Sequence, residues 1–321
     1  MQILAVNAGD HNNHPHNNYP HNFTFPADPG VFGPPLEAVH AYFAVSSTGR
    51  LFSSFGGIDP ANVNNGTPGI FAVGELTSPF TEKAYPSVEM NTPPCSGGAV
   101  DLTDPENLVG CGSADHLISV IGVVIDAQDR LWIVGTGRPA YIFPNGSEAL
   151  LPSSSGGPKL VGVDLSTDTV FTTILFSPEV ALPNDSLLDD VRFDLRPNIT
   201  SSGAGVAYIT DASLSGQNAI VVVDLGTGDA WRRLQGNPRN LYSVPTALLR
   251  RRDDAVEAKL MAAVVDYGQT GFSDGMESDS NGLEANAVVA FDPSTGTTQT
   301  VVRDPRIGVP LLDEGGKIDE A

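Results

Sequence analysis

Acidic side chains at the ends of predicted strands are the residues best suited to chemistry in this sequence. They are the adjacent pair Asp189 and Asp190, then Asp211, and farther along the chain Asp274 and Glu277. Carboxylates in such positions either contact a ligand or cation, or accept hydrogen bonds from backbone amides at turns. The residues alone leave both interpretations open for all five.

Histidines offer no comparable constellation. The His/Asn-rich stretch 11–16, with His21 nearby, predicts a flexible polar leader, and opportunistic metal binding is the alternative. His40 and His116 have no identifiable acid partner, so we expect structural roles for both. No arrangement in the sequence resembles a Ser-His-Asp set, which argues against that form of nucleophilic catalysis.

The two cysteines, Cys95 and Cys111, lie in a Gly/Pro/Asp-rich stretch. A bridge between them would close a loop worth about 3 kcal/mol in the loop-entropy view, and two free thiols are the alternative. A zinc site is not expected, because no second Cys/His pair stands at ligand spacing. Glycosylation sequons matter only if the protein is secreted, and they fall at Asn22, Asn65, Asn145, Asn184 and Asn198.

The composition excludes several functions and indicates the kind of fold that carries these residues. The 321 residues include 38 acidic and 17 basic side chains, for a net charge of −21, together with 34 Gly and 25 Pro. The chain has no basic stretch that could displace counterions from phosphates, so nucleic-acid binding is excluded. The longest apolar run, residues 117–125, is too short to span a bilayer, and the Gly, Pro, Val and Thr content favours strands joined by tight turns.

Hairpin patterns recur along the chain. Residues 123–134 place a polar turn between two apolar runs, and 44–52 and 276–283 repeat that pattern. A second type, a β-branched strand followed by an Asp-containing turn and a Thr/Val strand, occurs at 161–175, 220–231 and 288–302. Alternating hairpin types predict four-stranded antiparallel units and an all-β, six-bladed β-propeller, with a β-sandwich as the alternative. The best candidate helix is 245–252.

The predicted domain organisation is an extended arm at 1–40, a propeller at 41–307 and a disordered acidic tail at 308–321. Comparison of the repeats indicates that strands are lacking after Leu283 and at the carboxyl end, so we expect a shortened propeller with missing strands in its later blades. No secretory signal is visible. Either the protein is cytosolic, or the amino terminus is not the natural one.

Several motifs, which occur in the same order along the chain, resemble those of the major royal jelly and insect yellow proteins, in their fungal branch. They are the stretches 44–52, 85–94, 123–134, 158–165, 188–195, 205–211 and 273–282. The resemblance extends from about residue 33 to 307 and implies a secreted six-bladed propeller with a central ligand channel. It also implies that segments are absent at 43/44 and 240/241, which fits the strands missing from the internal comparison.

A more distant resemblance, to six-bladed sugar-lactone hydrolases, rests on the segment 273–279. It implies a channel cation, Ca²⁺ or another divalent ion, with Asp189, Asp190, Asp211, Asp274 and Glu277 as candidate ligands and a bound water that attacks a lactone. Arg138 would either pair with a channel carboxylate or lie on the surface.

The sequence leaves three candidate functions open. The first is a secreted, extracellular binder of a small molecule, such as an aromatic amine or a lactone, with no nucleic-acid partner and no membrane span. The second is a channel enzyme that hydrolyses lactones or converts dopachrome, and the third is a non-functional fragment. Fold alone does not separate them, and the charge of −21 suits a cationic ligand without requiring one.

Overall fold

The structure is a computed structural model that describes residues 41–55, 71–78, 81–213, 215–234, 240–252, 256–269, 277–278, 284–285, 289–292 and 297–300. The described residues fall into two compact units, one up to residue 234 and the other from residue 240 onward. The predicted arm at 1–40 and tail at 308–321 lie outside the described residues, so the predicted division of the chain stays a prediction.

The first unit begins with an antiparallel four-stranded sheet, here called the first sheet. Its strands are β1 (Ala41–Val45), β2 (Leu51–Phe55), β3 (Val73–Ser78) and β4 (Thr81–Ala84), paired in chain order. The predicted hairpin at 44–52 is confirmed, with Ala44 opposite Phe52. A small ribbon of β5 (Val100–Asp101) and β6 (Val109–Gly110) follows.

The second sheet contains β7 (Val120–Ile125), β8 (Arg130–Gly135), β11 (Lys159–Asp164) and β12 (Thr169–Leu175). A separate hairpin of β9 (Ala140–Ile142) and β10 (Glu148–Leu150) occupies the connection between β8 and β11. The predicted hairpins at 123–134 and 161–175 are both confirmed. The first turn forms because the Asp126 carboxylate accepts hydrogen bonds from the backbone amides of Gln128 and Arg130.

The third sheet is formed by β13 (Leu188–Asp194), β14 (Val206–Asp211), β15 (Ala219–Asp224) and β16 (Ala230–Leu234), again in chain order. The predicted hairpin at 220–231 is confirmed. β7 contacts both β1 and β13, so the first strands of the three sheets are neighbours.

Two apolar clusters hold these sheets together. Phe52, Val73 and Tyr85 of the first sheet and the chain just after it pack against β7, β8 and β11. Trp132, on the opposite face of the second sheet, is 1% exposed and packs in the cluster that also contains Val191 and Ile209 of the third sheet. Because each sheet buries a face against the next, burial of apolar surface is what aligns the three first strands.

The second unit contains β17 (Asn240–Ser243), α1 (Thr246–Leu249), α2 (Val256–Ala263) and β18 (Val265–Gln269), with β17 paired to β18. Its four-stranded sheet contains β19 (Glu277–Ser278), β20 (Glu284–Ala285), β21 (Val289–Asp292) and β22 (Thr297–Thr300). The strand expected to be missing after Leu283 is present, but β20 has only two residues. The helix predicted at 245–252 is shorter, and α2 was not foreseen.

The described part of the chain is therefore predominantly β, as predicted, with antiparallel sheets throughout. None of its described helices has the length and hydropathy needed to cross a membrane.

Candidate functional site

The connections between strands separate into two groups in the first unit. Short turns meet at one end, where the β1–β2 turn contacts the β7–β8 turn through Ser47 and Asp129, and Arg50 pairs with Asp168 in the β11–β12 turn at 2.8 Å. The connections 85–119, 136–158, 176–187 and 212–218 belong to the opposite end, which we call the long-loop end, whereas the β13–β14 connection, 195–205, is long but lies with the short turns. Long connections on a rigid scaffold are the usual carriers of binding residues.

Backbone hydrogen bonds join these long connections to one another. The Gly110 amide donates to the Pro152 carbonyl at 2.7 Å, which joins the connections 85–119 and 136–158, and the Leu117 amide donates to the Met90 carbonyl at 2.7 Å within the first of these. The Ser153 amide donates to the Pro183 carbonyl at 2.9 Å, which joins the connections before β11 and before β13. The long-loop end is therefore a continuous surface supported by all three sheets.

β-Bulges in β7 and β13 lie against each other at this end, and we call them the bulge pair. The register shifts between Val120 and Gly122 in β7 and between Leu188 and Val191 in β13. Gly122 lies directly against the carbonyl oxygen of Asp189, where a Cβ atom would not fit. Bulges near strand ends redirect side chains and are common beside functional sites.

Asp189 and Asp190 are the two residues of the β13 bulge, and they face the single residue Thr210 of β14. Asp189 is half-buried. The Asp190 carboxylate lies 2.7 Å from the Arg192 guanidinium and also accepts a hydrogen bond from the Val191 amide. Its side chain keeps 29% exposure, so Asp190 remains accessible to a solute.

Asp211 lies at the end of β14 and is buried at 2% exposure. Its carboxylate accepts hydrogen bonds from Arg232 and from the Ser186 hydroxyl, each at 2.6 Å, and from the Leu187 amide at 2.8 Å. Of the three candidates in the first unit, Asp211 is thus the least accessible, and its contacts secure the chain as it enters β13.

Arg138 occupies a position that neither sequence interpretation anticipated. It is 5% exposed, and its guanidinium donates hydrogen bonds to the carbonyls of Ser186 and Leu151, both at 3.2 Å. Burial lowers the pKa of Arg138, and the nearby carboxylates of Asp185 and Asp211 partly oppose that effect. Arg138 therefore joins the β8–β9 connection to the chain before β13 instead of lying on the surface.

Asp185 is a second buried carboxylate in this region. The Ser213 hydroxyl and the Ser215 amide donate to it, linking the connections before β13 and before β15. Burial opposes ionisation, but these hydrogen bonds from Ser213 and Ser215 hold the pKa of Asp185 below its usual range. The carboxylate is therefore ionised at neutral pH and stabilises the loops.

Lys159 is a buried cation that the sequence reasoning did not single out. Its ammonium donates hydrogen bonds to the carbonyls of Ser113 and His116, and to that of Ala114 at 3.3 Å. Burial lowers the pKa of Lys159 to about 8. A lone lysine at the start of the apolar run 159–163 was the available signal, because a buried lysine requires partners.

His116 lies in the same loop, and its Nδ1 is hydrogen-bonded to the Ser113 hydroxyl at 2.7 Å. This contact helps to shape the loop that encloses the Lys159 ammonium.

A cation site is not assembled by the described residues, since they contain no group of three or more His, Cys, Asp or Glu side chains placed to hold a metal ion. Asp274 lies outside the described residues. Glu277 begins β19, in the other unit, and the structure describes only its backbone. The predicted divalent cation therefore stays a prediction.

Cys95 and Cys111 form a disulfide in the connection between β4 and β7. Three sequon asparagines are exposed, namely Asn145 in the β9–β10 turn, Asn184 before β13 and Asn198 after it. Asn22 and Asn65 lie outside the described residues.

Comparison with known proteins identifies one matching segment. The family model of the major royal jelly proteins matches residues 118–238. No curated protein matches the chain. The matched segment runs from the start of β7 beyond the end of β16, and it contains the bulge pair, Arg138, Lys159 and the three described acidic candidates. Over this segment the chain is similar to the major royal jelly proteins.

Proposed function

We propose that the protein is a secreted β-propeller that binds a small organic cation at the mouth of a central channel, beside the bulge pair. The observation that carries the proposal is the contact of the two bulged first strands at the long-loop end, with Asp189 and Asp190 at their meeting point. Ligand sites usually carry a small number of precisely placed polar groups, and these two carboxylates would supply them.

The propeller is supported by the arrangement of the first three sheets. Each is a four-stranded antiparallel sheet, each buries a face against its neighbour, and their first strands are adjacent. In a propeller, first strands surround the axis, so β1, β7 and β13 would line the channel. We propose in addition that the chain closes into a ring of six blades, of which these three sheets would be the first.

A cationic ligand is favoured by charge. The protein carries a net charge of −21, which attracts cations. Asp190 already binds the Arg192 guanidinium while its side chain keeps 29% exposure, so a ligand ammonium group can use the same carboxylate. An aromatic amine carries such an ammonium group, so it is the ligand class that we propose.

Secretion is supported by two features besides the family. The disulfide is of a kind that persists in oxidising compartments, and the sequon asparagines at 145, 184 and 198 are all exposed. Mass spectrometry of the protein expressed in a eukaryotic secretory host tests this part. Unmodified peptides at all three sites would contradict the glycoprotein assignment.

Binding is tested by calorimetric titration with tryptamine of the wild-type protein and two variants, Asp189→Asn and Asp190→Asn. We expect each variant to bind at least tenfold more weakly, because each removes a full charge from the site. Asp164→Asn is the matched control, since Asp164 is an exposed turn carboxylate at the short-turn end, bonded to Ser166. Equal loss in the control, or no loss in either site variant, would reject the proposed site.

The enzyme alternative is tested in the same preparation. Hydrolysis of glucono-δ-lactone that calcium restores after chelation would favour the lactone-hydrolase function over a binding function. Soluble, monodisperse protein that binds tryptamine would contradict the fragment alternative.

A further inference from the structure

A cavity of about 350 Å³ lies at the long-loop end but away from the bulge pair. It is open to solvent on one side and is bordered by the connection that precedes β11 and the connection that follows β12, the outermost strand of the second sheet. Ser153, Ser155 and Pro158 line one side, and Phe176, Ala181 and Pro183 line the other. No part of the proposed channel site contributes to it.

The cavity is pre-formed by hydrogen bonds across its two walls. The Ser153 amide donates to the Pro183 carbonyl at 2.9 Å, and the Phe176 amide donates to the Pro158 carbonyl at 3.1 Å. The Ser154 hydroxyl donates to the Gly110 carbonyl at 2.6 Å, which fixes the first wall to the rest of the fold. Proline rings restrict these walls further, so a ligand would bind without the entropy cost of ordering them.

The lining residues include no charged side chain. Charged groups close by are engaged elsewhere: the Lys159 ammonium by backbone carbonyls, the Asp185 carboxylate by serine donors, and Arg232 by Asp211. Glu179 is exposed, and the Ser177 hydroxyl hydrogen-bonds to it. A charged ligand would therefore lose hydration in the cavity without gaining an opposite charge.

The lining combines apolar surface with hydroxyl groups. Phe176 and Ala181 are buried beneath the cavity, at 6% and 2% exposure, whereas the backbone and hydroxyl of the exposed Ser155 stand at its rim. The volume is near the lower end of the range for small-molecule sites, about 300–1,000 Å³, and accommodates a single ring with few substituents.

We propose that this cavity is a second ligand site, specific for an uncharged, single-ring molecule that carries a hydroxyl group. Its apolar walls take the ring, and the serines at its rim hydrogen-bond to the hydroxyl. The site is independent of the channel, so it does not rest on the proposed amine binding.

Three probes of matched shape test the charge selectivity, namely benzyl alcohol, benzylammonium and benzoate, in NMR titrations of the full chain. We expect benzyl alcohol to bind with a Kd on the order of 1 mM, as its few atoms allow, and each charged probe at least tenfold more weakly. Equal affinity for the three probes would overturn the proposal.

Two variants locate the binding. Ala181→Leu fills the cavity from its floor, and Ser155→Phe obstructs its mouth from an exposed position where folding is not at stake. Both should weaken benzyl alcohol binding at least tenfold and leave tryptamine binding unchanged, whereas Ser201→Phe, on an exposed turn elsewhere, should change neither. Undiminished benzyl alcohol binding by folded Ser155→Phe would place the site elsewhere and reject the assignment.

Discussion

Gly122 in β7 lies against the carbonyl oxygen of Asp189 in β13, and a Cβ atom at residue 122 would overlap that oxygen. The contact sets how closely the first strands of the second and third sheets approach. The same contact supports the backbone that carries the Asp189 and Asp190 carboxylates, which are proposed to bind the ligand.

Replacing Gly122 with alanine should therefore separate β7 from β13. We expect Gly122→Ala to lower the free energy of unfolding by about 1–3 kcal/mol, as overpacking does, in urea denaturation. Gly135→Ala is the matched control, because a Cβ at Gly135 would meet its nearest neighbour, in Lys159, at an ordinary 3.5 Å. Similar losses in the two variants would show that the close contact with Asp189 is not the cause, because the lower unfolded-state entropy of alanine would by itself stabilise both.

The buried ion pair of Asp211 and Arg232 should contribute more to folding than the exposed pair of Asp190 and Arg192. Asp211→Asn leaves Arg232 without its charge partner in a site where the two side chains are 0% and 10% exposed, so we expect a loss of about 3–5 kcal/mol. Asp190→Asn should cost less than about 1 kcal/mol. Chemical denaturation of both variants measures the difference, and comparable losses would contradict it.

Glu82 should make the protein less stable as pH rises through the neutral range. Its Oε1 atom is buried with no hydrogen-bond partner among the described residues, and burial raises its pKa to about 7, although Ser53 donates to the other oxygen at 3.2 Å. Because the pKa of this carboxyl is higher in the folded state, the group contributes its full stabilisation of the fold below its unfolded pKa, near 4.5. That contribution is lost as the pH rises to the folded pKa of about 7. Partial exposure limits the effect to about 1–2 kcal/mol.

Unfolding measured from pH 4 to pH 8 checks this sign. Glu82→Gln should match the wild type near pH 4 and exceed it in stability near pH 8. A wild type that gains stability over this range relative to Glu82→Gln would show that the carboxylate has an ionic partner.

Lys159 should change the stability of the protein in a higher pH range than Glu82 does. The folded state lowers its pKa to about 8 from an unfolded value of 10.5, so the unfolded chain binds the additional proton between these values. Stability contributed by this group should then rise by about 1–3 kcal/mol from pH 8 to pH 10.5. The difference between wild type and Lys159→Met isolates this slope from other titrating groups.

At neutral pH, Lys159→Met should lower stability by about 1–3 kcal/mol, because the carbonyls of Ser113 and His116 lose a buried donor. If the slopes of the two proteins are parallel above pH 8, the three carbonyls stabilise the ammonium fully and the shift is absent.

Local patterns predicted the strands well because hairpins are specified by nearby residues. Asp126 illustrates this, since its carboxylate bonds amides two and four positions ahead and so marks the turn in the sequence itself. The confirmed hairpins of the first three sheets all have a polar or Gly-containing turn between two strands that contain apolar residues. Segment 118–238, which the family model matches, lies within the wider range that the resemblance proposed.

The buried polar network was not predictable in the same way. Arg138 contacts the Ser186 carbonyl 48 positions away, and Lys159 reaches the loop at 113–116 across more than 40 positions. Such pairings depend on how the sheets pack, and a single sequence does not encode that geometry in any local period. Asp211 is instructive, since its strand-end position was recognised although its burial with Arg232 was not.

The β9–β10 hairpin has a practical consequence. Strands β8 and β11, which flank it, pair directly with each other over six residues, so the second sheet closes without the hairpin. Its tip at Asn145 and Gly146 is exposed, and a Cβ at Gly146 would meet nothing nearby. This tip is therefore a natural point at which to graft an affinity tag or a fluorescent label, giving a reporter fixed to the long-loop end at little cost to the scaffold.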